Sequence, residues 1–76
     1  MSATVRPRRT QRERREATIA ALLVAARDRF AQDGYAATSL DAIATDAGVT
    51  KGALYHHFDG KEELFAAVHE REHRRL

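Results

Sequence analysis

Residues 38–58 read TSLDAIATDAGVTKGALYHHF, and two short helical patterns meet within them. The first starts at Thr38 or Ser39, both good N-caps, with Asp41 three residues after Thr38 as in a capping box. Leu40, Ile43, Ala44 and Ala47 form its buried side, and it lasts about two turns before Gly48. The second starts after Thr50, another cap, and carries Leu54 and Phe58 at i, i+4 on its inner face until Gly60 breaks it. A helix-turn-helix needs a small residue where its helices cross, a glycine in the turn, and apolar residues fixing the second helix at a steep angle. Ala44, Gly48, Val49 and Leu54 supply these in the right order. An ordinary αα-corner would use the same residues for packing alone.

The second of these helices departs from local rules. Lys51 sits in a first turn, where a cation opposes the helix dipole. Gly52 sits inside the helix, at about 1 kcal/mol relative to alanine. Such departures concentrate at functional sites. Both make sense if this helix end faces a phosphate backbone, with Lys51 pairing with the anion and Gly52 permitting close approach. Gly52, Tyr55 and His56 stand at i, i+3, i+4 and share a face distinct from Leu54 and Phe58. Tyr and His there offer donors to phosphate or base edges. The plainer alternatives are a half-buried packing role for Tyr55 and simple solvent exposure for His56 and His57.

Outside this pair, one helix precedes and one follows. The first runs from about Arg12 or Thr18 to Gln32, with an apolar stripe of Ile19, Leu22, Leu23, Ala26 and Phe30. Gly34 can take the left-handed conformation that stops it, and Tyr35 is expected to pack back against its end. The last runs from Lys61 to the end, with Leu64, Phe65 and Val68 as its stripe. Glu62 and Glu63 suit its positive first turn, and Arg74 and Arg75 its negative last turn.

Composition limits what such a chain does. It has 76 residues, 43% of them hydrophobic, and 15 of those are alanine. That suffices for a thin helical core but not for an enclosed substrate cavity, so an enzyme is not expected. There are no cysteines, hence no disulfide scaffold and no thiolate metal site. No apolar run approaches the length of a membrane span, and no signal-peptide pattern opens the chain, which reads as soluble and intracellular. The net charge is +2, but the pI is near 9.5, because the charge is uneven. Residues 1–15 set six arginines against Glu13, a net of +5, while residues 16–76 set seven Lys/Arg against ten Asp/Glu, a net of −3. A disordered basic arm over residues 1–15 would suit a polyanion, with Arg8, Arg9 and Arg12 as candidate contacts, or would simply be a solvated tail. A transit peptide is disfavoured, since Pro7 and sparse apolar residues leave it no amphipathic face.

Taken together, the blocks Gly34-Tyr35-Ala36-Ala37-Thr38-Ser39-Leu40, Ile43-Ala44, Ala47 to Phe58 and Lys61-Glu62-Glu63-Leu64 resemble the DNA-binding domain of TetR-type regulators. The resemblance covers residues 16–76. It implies an all-α, homeodomain-like three-helix domain, with the helix-turn-helix near residues 39–58 and the start of a fourth helix. It further implies a transcriptional regulator, a repressor, whose third helix enters the major groove of an operator in double-stranded DNA. By position, Thr50, Lys51, Gly52 and Ala53 would lead that helix into the groove, with Tyr55 and His56 on phosphate or base edges. Thr38 and Ser39 would hold a phosphate at the start of the second helix, and Lys61 one at the start of the fourth. Ala53 lies where many relatives carry a polar residue, so only an apolar contact, for instance with a thymine methyl, is open to it. Relatives also have a larger C-terminal helical domain that binds a small effector and forms a homodimer. This chain ends before such a domain, and the fragment is expected to be monomeric. The resemblance implies a cytoplasmic, nucleoid-associated protein without a cofactor.

Two rival readings remain open. His69-Glu70-Arg71-Glu72-His73 matches H-E-x-x-H, the zinc-hydrolase pattern, but only Arg74, Arg75 and Leu76 follow it and none is a usual third ligand. A metal site is therefore not expected. The other rival is a helical module for a protein or membrane surface, using the basic arm and the exposed stripe of the last helix.

Overall fold

The computed structural model describes residues 10–74, which form four helices: α1 (Gln11–Asp33), α2 (Leu40–Ala47), α3 (Lys51–His57) and α4 (Lys61–Arg74). The all-helical architecture agrees with the sequence reading. The boundary of the arm does not. Thr10 caps α1 through a complete capping box: its hydroxyl accepts from the Glu13 amide at 3.0 Å, and the Glu13 carboxylate accepts from the Thr10 amide at 2.9 Å. Glu13 also faces the positive helix end, and Arg12 pairs with Glu16 one turn on. Residues 11–15 are therefore helix rather than disordered arm. Arginine and glutamate are good helix formers, and charge density alone concealed that. Arg8 and Arg9 lie outside the described residues.

The turns follow from glycine and from caps. Gly34 ends α1 at φ +83°, ψ 161°, a region open only to glycine and distinct from the left-handed helical conformation expected for it. Gly48 ends α2 at φ +75°, ψ 27°. Its amide donates to Thr45 O at 3.1 Å and the Val49 amide to Ala44 O at 3.0 Å, which is a Schellman motif. That motif reverses the chain in two residues and drops Val49 onto the core. Ser39 caps α2, its hydroxyl accepting from the Ala42 amide at 3.1 Å. Thr50 caps α3 in the same way from Ala53 at 3.0 Å. Gly60 does not break α3, as the spacing implied. The helix already ends at His57, Phe58 leaves it in an extended conformation, and Gly60 O instead accepts from Leu64 in the first turn of α4.

The core is thin and made where α1 crosses α2 and α4. Leu22, Ile43, Leu54 and Leu64, one from each helix, are the largest fully buried side chains. Each stabilises by roughly 2 kcal/mol on burial. Leu23, Ala25, Ala26, Ala44, Phe58 and Val68 complete the core, with Ile19, Phe30, Leu40, Ala47 and Val49 packed partly against it. Ala44, small and buried, lets α2 lie close. The α1–α2 crossing is also clasped from outside: Arg29 forks onto Asp46 at 2.6 and 3.1 Å and reaches Asp33 at 3.4 Å. The guanidinium holds the Asp46 carboxyl below its usual range.

Candidate nucleic-acid interface

With Leu54 and Phe58 anchored in the core, the opposite face of α3 is presented to solvent. Lys51, Gly52, Tyr55 and His56 are exposed and Ala53 is half-buried. A Cβ added at Gly52 would meet only the Thr50 hydroxyl, at an ordinary 3.9 Å. Nothing within the protein requires glycine there. The position is thus helix-weakening and structurally unneeded, as expected of a surface that something must approach closely.

The other candidate contacts divide. Ser39 and Thr50 are exposed caps on the same side of the motif, each with a hydroxyl proton still available to donate. Lys51, which opposes the dipole of its own helix, has a partner on the other. Its ammonium lies 3.1 Å from Asp41 in the first turn of α2, which raises its pKa and ties the two helices of the motif together. Both groups remain largely exposed, so the pair adds little to stability.

Thr38 is a correction. It is 3% exposed, and its hydroxyl donates to Gly34 O at 2.7 Å with Arg29 O also in reach at 3.2 Å. It secures the end of α1 instead of facing a ligand, and no capping box forms with Asp41, which turns to Lys51. A buried hydroxyl needs a partner, and the carbonyls freed at the end of α1 provide it. Lys61 is likewise more engaged than expected. Its ammonium donates to Tyr35 O at 2.9 Å and Ala36 O at 3.2 Å and stands 4.8 Å above the Tyr35 ring. It clasps the α1–α2 turn to α4. Tyr35 packs as expected, stacked on Phe30 at 5.6 Å and edge-on to Phe65 at 5.1 Å.

His57 turns from the exposed face toward the start of α1, where Gln11, Arg14, Arg15 and Thr18 line the same hollow as His56 and His57. Arg14 and Arg15 were missed as positioned residues. Their signal was present: Gln11, Arg14 and Thr18 recur at i, i+3, i+7, one helical stripe, but only once residues 11–15 are read as helix. At the other end, His69 packs its ring on Phe65 at 4.8 Å. Among the described residues no cluster of three metal-binding side chains forms. No described helix is long and apolar enough to cross a membrane.

Comparison with known proteins bears on this geometry. Residues 22–68 match the family model for bacterial regulatory proteins of the tetR family. The Transposon Tn10 TetC protein of Escherichia coli is 42% identical over 62 residues, covering 82% of this chain and 32% of that protein. The HTH-type transcriptional regulator TtgR of Pseudomonas putida is 48% identical over 61 residues, covering 80% of this chain and 29% of its own. The HTH-type transcriptional activator FasR of Mycolicibacterium smegmatis is 45% identical over 64 residues, covering 84% and 29%. The chain spans about a third of the length of these curated relatives, and TtgR and FasR are named as regulators of transcription rather than as enzymes. The matched span runs from Leu22 in the core of α1 to Val68 in that of α4 and encloses the whole α2–turn–α3 unit; the chain belongs to the tetR family of bacterial regulatory proteins and carries its helix-turn-helix domain.

Proposed function

We propose that this domain reads an operator in double-stranded DNA by laying the exposed face of α3 in the major groove. The observation that carries the reading is the pairing of a solvent-facing Gly52, where a Cβ would meet only the Thr50 hydroxyl at an ordinary 3.9 Å, with Lys51, Tyr55 and His56 on the same face. Gly52 lets backbone approach backbone, while Tyr55 and His56 supply donors to phosphates or base edges. Ala53 contributes an apolar contact. Ser39 and Thr50 bind phosphate oxygens through their hydroxyls, and Lys51 exchanges Asp41 for a phosphate. Lys61 acts mainly by holding the α1–α2 turn and has one further ammonium proton to offer. Thr38 positions this surface from inside and does not touch the ligand.

In the protein as it acts in the cytoplasm, on the nucleoid, two copies deliver two α3 helices to an operator as a homodimer, repressing transcription. A small effector acts through a C-terminal domain beyond these residues. The two-fold arrangement is what makes one short helix per copy sufficient, because half-site spacing adds specificity that a single contact lacks.

The test is a salt series of fluorescence anisotropy on random-sequence duplex DNA, comparing the full chain with one lacking residues 1–9. That deletion leaves the Thr10 cap and α1 intact. Binding that falls steeply with salt and persists, weakened, without those residues supports the α3 face as the contact. Binding that disappears with them would overturn the reading and leave only an arginine tail attracted to polyanions.

A further inference from the structure

The hollow between the start of α1 and the end of α3 is lined by Gln11, Arg14, Arg15, Thr18, His56 and His57. It brings two guanidiniums and two imidazoles together from helices far apart in sequence, and none of the six is acidic. This is unusual within the molecule. Arg12 pairs with Glu16, Arg27 with Asp28 and Glu72, Arg29 with Asp33 and Asp46, and Arg74 with Glu70. Among the described residues Arg14, Arg15 and Arg71 make no such ion pair, but Arg71 lines hollows that also hold Glu70 and Glu72, whereas the hollow around Arg14 and Arg15 holds no carboxylate. The His56 and His57 rings sit edge to face with centroids 5.0 Å apart.

The hollow is continuous with the face already assigned to DNA, because His56 belongs to both. We infer that it is a phosphate site flanking the recognition surface, in which Arg14 and Arg15 of α1 and the His56–His57 pair of α3 engage one DNA phosphate, with uptake of a proton from solvent by the pair. Thr18 and Gln11 add neutral donors at its rim. The inference rests on the DNA-binding reading above.

The direction of the proton linkage follows from the groups present. Facing the pair are Arg14 and Arg15 from α1 and, on α3 itself, each histidine's neighbour. Burial, then the nearby His56 and Arg15, holds the His57 imidazole below its usual range, so it is neutral in the free protein near pH 7. A phosphate placed among these cations reverses that balance and favours the imidazolium. The complex therefore binds more protons than its separate components, and affinity rises as pH falls. The free fold behaves in the opposite sense. Because the native pKa lies below the unfolded value near 6.5, stability is lost as pH falls from there through the native value. Acid thus weakens the free domain while tightening its complex, which separates this site from a general effect on folding.

The experiment is anisotropy on a short random-sequence duplex at fixed ionic strength, at about pH 8 and about pH 6, with histidine ring NMR of the free and bound chain. The expected result is ~three- to tenfold tighter binding at the lower pH. The His57 ring signal should titrate at higher pH with DNA than without it. The double variant His56→Gln/His57→Gln should bring the ratio of affinities at the two pH values to about one. Arg14→Gln/Arg15→Gln should flatten the salt dependence by about one counterion. Equal affinity at both pH values would overturn this site and leave the DNA reading standing. So would a pH response that survives the double histidine variant. Absence of duplex binding at either pH would overturn both.

Discussion

The α1–α2 joint and the outer face of α3 use the same kinds of residue to opposite ends. Each has a threonine, a lysine and a tyrosine. At the joint, Thr38 is buried with its hydroxyl on carbonyls, Lys61 donates to two carbonyls, and Tyr35 packs between Phe30 and Phe65. On α3, Thr50 is an exposed cap, Lys51 carries a largely exposed pair with Asp41, and Tyr55 faces solvent. Exposure alone does not separate them, since Tyr35 is 41% and Tyr55 47% exposed. What separates them is whether the polar atoms and ring faces are already engaged within the chain. Groups engaged internally stabilise the fold; groups left available are those a ligand can gain from.

That contrast is open to direct attack. The largest expected effect is on Gly52. Gly52→Leu should cost at least a hundredfold in DNA affinity, about 3 kcal/mol, while helix content is kept and stability rises by some tenths of a kcal/mol through helix propensity. Normal binding by this variant would show that α3 does not approach DNA through that position. Next in size is the pair of tyrosines. Tyr35→Ala should lower stability by about 2 kcal/mol through lost ring packing, a melting shift of roughly 10 °C. Tyr55→Ala should leave the melting temperature nearly unchanged and lower DNA affinity about tenfold. If thermal melts and anisotropy gave the reverse pattern, the two regions would have been assigned the wrong way round.

Smaller effects sharpen the same line. Lys51→Ala should weaken binding to all sequences alike and reduce the salt slope by about one, with little change in melting, because its ion pair is exposed. The smallest concerns Asp46. Its native carboxyl is held below its ordinary value near 3.8 by Arg29. The unfolded chain therefore takes up the proton first, and the contribution to stability is full above about pH 4 and lost as pH falls through the native pKa. Asp46→Asn should accordingly lower the melting temperature slightly at pH 7 and by less in acid, without changing DNA affinity beyond the folded fraction.

Much of this is legible in the residue order. The glycine at position 48, the caps at Ser39 and Thr50, and the inner pair Leu54 and Phe58 are local signals, and local signals place helices and turns. The misreadings share a cause. Thr38 looked like a cap because threonine beside a helix start usually is one, and its inward turn depends on carbonyls left free at the end of α1. Lys51 reads as a cation set only against the helix dipole because its partner, Asp41, belongs to another helix. The start of α1 was hidden because a run of arginines reads as an arm until Thr10 and Glu13 are seen to close a box around its first turn.

The residue order alone determined an all-helical chain, the position of the helix-turn-helix and the identity of the face carrying Gly52, Tyr55 and His56. These follow from periodicity and from backbone preferences that act over a few residues. Only the tertiary structure decided which polar groups on that scaffold are engaged and which remain available, and which distant cations share a hollow. Thr38 against Gly34, Lys61 against Tyr35, Arg29 against Asp46 and His57 beside Arg15 are outcomes of helix packing, where partners lie up to tens of residues apart. A hydrogen bond or ion pair is short-ranged in space, and spacing in the chain does not fix spacing in space until the core has set how the helices cross.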